Sequence, residues 1–171
     1  MRNKYFVTNI WQLLYAILMI FKQQVLLKNI NPFDVIRSFH DLKFVEFLTA
    51  GQPVRMNFWE GIDNNKNASF SFWFFGWKTI NVIHKNYRIS KDHLYFEDHG
   101  TELPFGLILW EHQHVVKPYD NGTVIIDKVL MDNSVPFKKF WVYPIMIFPI
   151  FIRRLTYKIW FYLLKSKKGI K

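Results

Sequence analysis

The chain has 171 residues, half of them hydrophobic and 19% aromatic, with 18 Phe, 8 Tyr and 7 Trp. Such a composition excludes a disordered, collagen-like or coiled-coil chain and leaves material for one well-filled core. The absence of cysteine excludes a disulfide scaffold, a thiolate zinc site and a cysteine nucleophile. A net charge of +10, from 23 Lys+Arg against 13 Asp+Glu, admits nucleic acid, an anionic membrane or an acidic ligand without choosing among them.

Residues 1–15 read as an apolar N-terminal extension, and 16–168 as a single domain. The run Ile10 to Phe21, behind Arg2 and Lys4, has the start of a signal peptide. No small-x-small cleavage pattern follows it, and it is shorter than the ~20 apolar residues that span a bilayer. A second run, Phe140 to Ile152, is broken by Pro144 and Pro149. Both fit a buried or interfacial segment. The sequons Asn67-Ala-Ser69 and Asn121-Gly-Thr123 carry no weight without a secretory signal.

Ile17 to Lys28 reads as a strand. Asn31-Pro32 then opens a helix, with Asn31 as cap, Pro32 in the first turn and Asp34 at the positive end. Val35 to Leu48 gives one or two short helices, stopped by Ala50-Gly51-Gln52-Pro53. From Val54 the apolar period becomes two: strands around Val54–Phe58 and Phe70–Phe74 flank the turn Asp63 to Asn67. Further strands follow over Trp77–Ile89, His93–Asp98, Phe105–Lys117 and Thr123–Asp132, the last two forming a hairpin. Phe148, Ile152, Leu155, Ile159 and Leu163 lie on one face of a long C-terminal helix, the last four expected to pack on the sheet. Strands gathered into one antiparallel sheet with helices on one side make an α+β domain.

Trp110, His112 and His114 alternate on one strand and so share a face. If Pro118 faces Thr123 across the hairpin, His114 lies opposite Asp127 and His112 opposite Val129. A carboxylate beside an imidazole orients the ring and raises its basicity, as a general base requires; a purely structural hydrogen bond uses the same pair. Two histidines at i, i+2 could give two metal ligands, but a third from Asp127 or His84 would have to converge, and no metal motif is present. No metal or other cofactor is expected. Nucleotide-binding and serine-hydrolase motifs are absent as well. Glu97-Asp98 and Asp132 read as solvated charges near strand ends. The run Phe72-Trp73-Phe74-Phe75 is apolar on both faces, so one side needs a cover: the N-terminal segment, a dimer partner or a membrane.

Four stretches resemble the START-like (SRPBCC) superfamily. They are Phe39 to Thr49, Leu103-Pro104-Phe105 with Trp110-Glu111-His112-Gln113-His114, Gly122-Thr123 with Asp127-Lys128-Val129, and Phe151 to Leu155 with Ile159-Trp160. The nearest likeness is to small bacterial ligand-binding members, some labelled cell division inhibitors. The resemblance implies a helix-grip fold: a curved antiparallel sheet of six or seven strands around a long C-terminal helix, with two short helices after the first strand. It also implies a cavity for a small hydrophobic or amphipathic ligand. Trp77, Phe105 and Trp110 would give apolar contact there, and His112, His114 and Asp127 would orient a polar group. An enzyme of cyclase or hydratase type using the His114–Asp127 pair is the second reading. The third is a membrane-peripheral interaction protein with a filled core, in which Arg153, Arg154, Lys158, Phe161 and Lys165 meet an anionic surface. No nucleic-acid-binding pattern is present. A cytoplasmic protein, free or peripheral on the inner membrane face, is expected, its oligomeric state open.

Overall fold

The computed structural model describes residues 18–164, so the N-terminal extension and Lys165 lie outside the described residues. Strand β1 (Met19–Lys28) leads into helices α1 (Pro32–Phe39) and α2 (Leu42–Thr49). Both helices start on a side-chain cap, Asn31 accepting from the Phe33 amide and Asp41 from the Lys43 amide at 3.0 Å each. Six strands follow: β2 (Val54–Trp59), β3 (Asn67–Trp73), β4 (Trp77–Ile89), β5 (Leu94–Glu102), β6 (Leu107–Tyr119) and β7 (Gly122–Asn133). A 3-10 turn (Pro136–Lys138) enters α3 (Lys139–Lys158), which a π-helical stretch (Ile159–Leu164) prolongs. The seven strands form one antiparallel sheet in the order β1-β7-β6-β5-β4-β3-β2. This is the α+β helix-grip architecture that the sequence implies.

The β6–β7 hairpin has the expected register, with Pro118 facing Thr123, His114 facing Asp127 and His112 facing Val129. Its turn is tighter than a four-residue loop because Tyr119 still faces Gly122, and Asp120 turns the chain at φ 50°. On β2 the alternation fails beyond Met56: a bulge shifts the register before Phe58, whose ring ends up exposed.

The interior holds two apolar clusters. One gathers α1, α2 and the far end of the C-terminal helix around Phe39, Phe44 and Tyr157; the other gathers β3, β4 and the first half of α3 around Ile80, Trp110 and Met146. Between them, at the middle of the inner sheet face, the residues are polar.

Helix α3 departs from the expected face. Val142, Met146, Ile150, Arg153, Tyr157 and Phe161, spaced at four, four, three, four and four residues, point inward. Leu155 and Leu163 are each 58% exposed, and Phe148 is exposed too. The helix is apolar nearly all round, so periodicity offers two stripes and does not choose between them. The choice falls to the stripe that brings Arg153 and Tyr157 against Asp127, where burial of that carboxylate requires partners. Two proposed membrane contacts are corrected by the same rotation. Arg153 turns inward, and Phe161 is buried with its ring 5.7 Å from that of Phe44.

Candidate functional site

Five strands and α3 each place polar side chains in the belt between the two apolar clusters. From β6 come His112 and His114, from β7 Asp127, from β5 Asp98, from β4 His84 and from β1 Gln23. Antiparallel registry aligns them: His84 faces Asp98, Asp98 faces His112, and Asp127 faces both His114 and Gln23. Helix α3 closes the belt with Arg153 and Tyr157.

Asp127 is fully buried and collects partners from every side. Gln23 Nε2 donates to Oδ2 at 2.9 Å, Tyr157 Oη lies 3.3 Å from both oxygens, and His112 Nε2 is 3.2 Å from Oδ1. His114 Nδ1 and the Arg153 guanidinium stand 3.3 and 3.7 Å from the same oxygen. The pair expected from the sequence is therefore in reach, but the aligned hydrogen bond of His114 goes elsewhere, from Nε2 to Asp98 Oδ2 at 3.1 Å. His112 Nδ1 is 3.6 Å from that oxygen, and His84 Nε2 is 3.2 Å from Oδ1.

Burial pushes the carboxyls of Asp98 and Asp127 upward, but the neighbours reverse the outcome. The positive charge and hydrogen bonds of the histidines around Asp98, and the histidine hydrogen bonds and Arg153 around Asp127, hold both well below the usual carboxylate range. The two imidazoles split. Burial and the charge of His114 push His112 below its ordinary value, whereas Asp98 and then Asp127 outweigh burial at His114 and raise it. Burial, reinforced by the Asp127 charge, pushes the Tyr157 phenol well above its ordinary value, so Tyr157 stays a donor.

Two narrow clefts reach this belt. The larger, with about 50 Å³ of free interior, runs between the sheet and α3 past Val54, Phe72, Ile80, Val82, Trp110 and Met146 to Asp98, His112 and Arg153. The second, with about 40 Å³, runs under α1 and α2 past Phe39, Phe44 and Phe96 to His84, Asp98, His114 and Arg153. Phe70, Asp98 and Arg153 are walls of both.

Of the residues expected to contact ligand, Trp110, His112 and His114 line these clefts, and Asp127 lies beneath them. Trp77 and Phe105 do not. Trp77 has odd parity on β4, where Ile80, Val82 and His84 point inward, so its ring is outside, beneath the Arg55 guanidinium at 4.2 Å. Phe105 stands in the β5–β6 turn at φ 60°, its ring edge-to-face with Phe74 at 6.1 Å. Arg154 and Lys158 are exposed, Arg154 Nε donating to Gln23 Oε1 at 3.0 Å.

Asp98 overturns its expectation as a solvated charge near a strand end. Strand β5 runs on to Glu102, and Asp98 continues the inward series Leu94, Phe96. That alternation was the signal that could have found it. Gln23 similarly continues Val25 and Leu27 on β1, while Arg153 and Tyr157 had no such signal.

The fold and site define a helix-grip domain with a polar belt across its interior. Solved structures of low sequence identity share this fold. Norcoclaurine synthase from Thalictrum flavum, solved with dopamine and hydroxybenzaldehyde, aligns with a TM-score of 0.60 and 9% identity over 95% of each chain. Human STARD10 aligns at 0.58 and 9% identity over 88% of this chain and 66% of its own. Protein Ms6760 from Mycobacterium smegmatis aligns at 0.55 and 9% identity over 90% and 94%. No protein-family profile matches the chain, and no curated protein does. The fold is thus the START-like one that the sequence resembles.

Proposed function

We propose that this protein binds a small hydrophobic or amphipathic ligand between its sheet and α3, with the ligand's polar group turned toward Asp98, His112 and Arg153. The observation that carries this reading is the composition of the larger cleft. Its walls are almost wholly apolar, and its inner end is charged and hydrogen-bonding. A slender molecule with one polar end satisfies both parts, whereas a wholly apolar one leaves the charged end desolvated without a partner. The synthase that shares the fold holds dopamine and hydroxybenzaldehyde, amphipathic molecules of that general kind.

Mass spectrometry of small molecules carried by the natively purified protein tests the reading. The expected result is a bound amphiphile, displaced by a fluorescent fatty-acid probe that Val82→Phe excludes by narrowing the cleft. A protein that carries nothing and leaves the probe unbound overturns it.

A second reading, attachment to an anionic membrane surface, is supported by the exposed rings at one end of the molecule. The β3–β4 turn presents Phe75, 88% exposed, and the entry to α3 presents Phe137 and Phe140, each 72% exposed, with Trp141 at 66%. The β5–β6 turn joins the two groups: Phe105 touches Phe74, and its carbonyl accepts from Asn133 Nδ2 at 2.9 Å, just before the 3-10 turn. Exposed Lys78 and Lys138 adjoin these rings in sequence. Rings and cations together suit an anionic interface. No helix among the described residues is long and apolar enough to cross a membrane.

A further inference from the structure

We propose that Asp98, His112 and His114 form a binding site for one divalent transition-metal ion of the zinc type. Independently of the ligand reading, the packing of buried imidazoles against carboxylates points there. Each of the three buried imidazoles stands between two oxygens. His84 lies between the Lys66 carbonyl at 3.1 Å and Asp98 Oδ1 at 3.2 Å. His112 lies between Asp127 Oδ1 at 3.2 Å and Asp98 Oδ2 at 3.6 Å. His114 lies between Asp98 Oδ2 at 3.1 Å and Asp127 Oδ1 at 3.3 Å. A carbonyl or an ionised carboxylate only accepts, and a neutral imidazole brings one N–H. Six nitrogens thus face oxygens, with three hydrogens among them. His114 Nδ1 and Asp98 Oδ1 are in addition buried with no aligned hydrogen-bond partner.

A metal ion accepts nitrogen and carboxylate lone pairs at once, and the geometry of this group suits one. An Asp98 oxygen, a His112 nitrogen and a His114 nitrogen all lie within 4.8 Å of one another. Ligands at about 2.0–2.1 Å around a tetrahedral ion are roughly 3.3 Å apart. The Asp98 Oδ2 distances to His114 Nε2 and His112 Nδ1, 3.1 and 3.6 Å, bracket that value. With those nitrogens on the metal, the outer nitrogen of each ring carries its hydrogen toward Asp127, the outer-sphere carboxylate that metal-bound histidines commonly have. Imidazole and carboxylate donors favour zinc, cobalt or ferrous ion over calcium or magnesium. Three protein ligands leave one position, and residues of this group line both clefts.

The test uses the whole chain, stripped with chelator and titrated with Zn²⁺ and, separately, Co²⁺. One equivalent is expected to bind, with the strong visible absorption of low-symmetry, four-coordinate cobalt. Long-range ¹⁵N spectra of the unmutated protein should show zinc moving the ring nitrogens of His112 and His114 while those of exposed His40 and His93 stay in place. Asp98→Asn and His112→Ala should abolish the one-to-one site, Asp127→Asn should weaken it about 10–100-fold, and His93→Ala should leave it intact. No stoichiometric binding, or zinc shifts confined to His40 and His93, overturns the proposal. The spectral readout needs no variant, so a substitution that fails to fold does not disturb it. Failure of either proposal is visible separately, because small-molecule carriage is read on the natively purified protein and metal binding on the chelator-stripped one.

Discussion

Asp127 shows how one side chain can organise an interior. Its oxygens contact residues on β1, β6 and α3, so its removal orphans partners on three elements at once. Asp127→Asn keeps the volume but leaves Arg153 buried beside a neutral amide. The expected loss is about 3–5 kcal/mol, the range for breaking a buried ion pair, measured as a lower urea midpoint with unchanged m-value. A different kind of cluster occupies the outer face of the sheet. Glu97 accepts from Asn86 Nδ2 at 2.7 Å, lies 2.7 Å from His99 Nε2, and also takes the Tyr95 hydroxyl hydrogen. Burial, then this hydrogen bond and the Glu97 charge, push the Tyr95 phenol up to about 12. A raised phenol favours folding while it keeps its proton. Its contribution is therefore complete below the ordinary value of 10 and disappears as pH climbs toward about 12. Tyr95→Phe should melt below the unmutated protein at pH 8, with the gap closing across that alkaline window in paired thermal scans.

At the scale of elements, α3 is where composition and packing part company. Its sequence has apolar residues on almost every side, and its two prolines, Pro144 and Pro149, remove amide donors inside the helix. The inward stripe through Met146 makes a direct contrast possible. Met146 is fully buried, so Met146→Ala should cost about 2–5 kcal/mol. Leu155→Ala, on the exposed stripe, should change stability by no more than about 0.5 kcal/mol. Chemical denaturation of both variants checks the rotation of the helix; equal losses would place both stripes in the core.

Across the whole molecule, the polar belt divides the interior while the exposed rings gather at one end. A soluble surface seldom presents so many rings together, and Phe75, Phe137 and Trp141 make few internal contacts to lose. Phe75→Ser with Trp141→Ser should therefore leave the melting temperature nearly unchanged. It should reduce flotation with phosphatidylserine-containing vesicles several-fold, and raised salt should weaken the binding of the unmutated protein without abolishing it. Flotation equal for the double variant and the unmutated protein would detach the membrane reading from these rings.

Local pattern was enough for the order of the strands, the two capped helices and the β6–β7 register. A strand's side chains alternate at fixed period, and a tight turn fixes which residues face each other. His112, His114 and Asp127 lie on that single hairpin, within 15 residues of one another, so their meeting was legible in the chain. Asp98 and Gln23 were legible in parity but not in partner, since what they face depends on strands brought in from elsewhere. Tertiary structure alone decided Arg153, Tyr157 and Phe161. A helix apolar on nearly all sides has no preferred rotation of its own, and the orientation adopted is the one that satisfies a carboxylate already buried in the sheet.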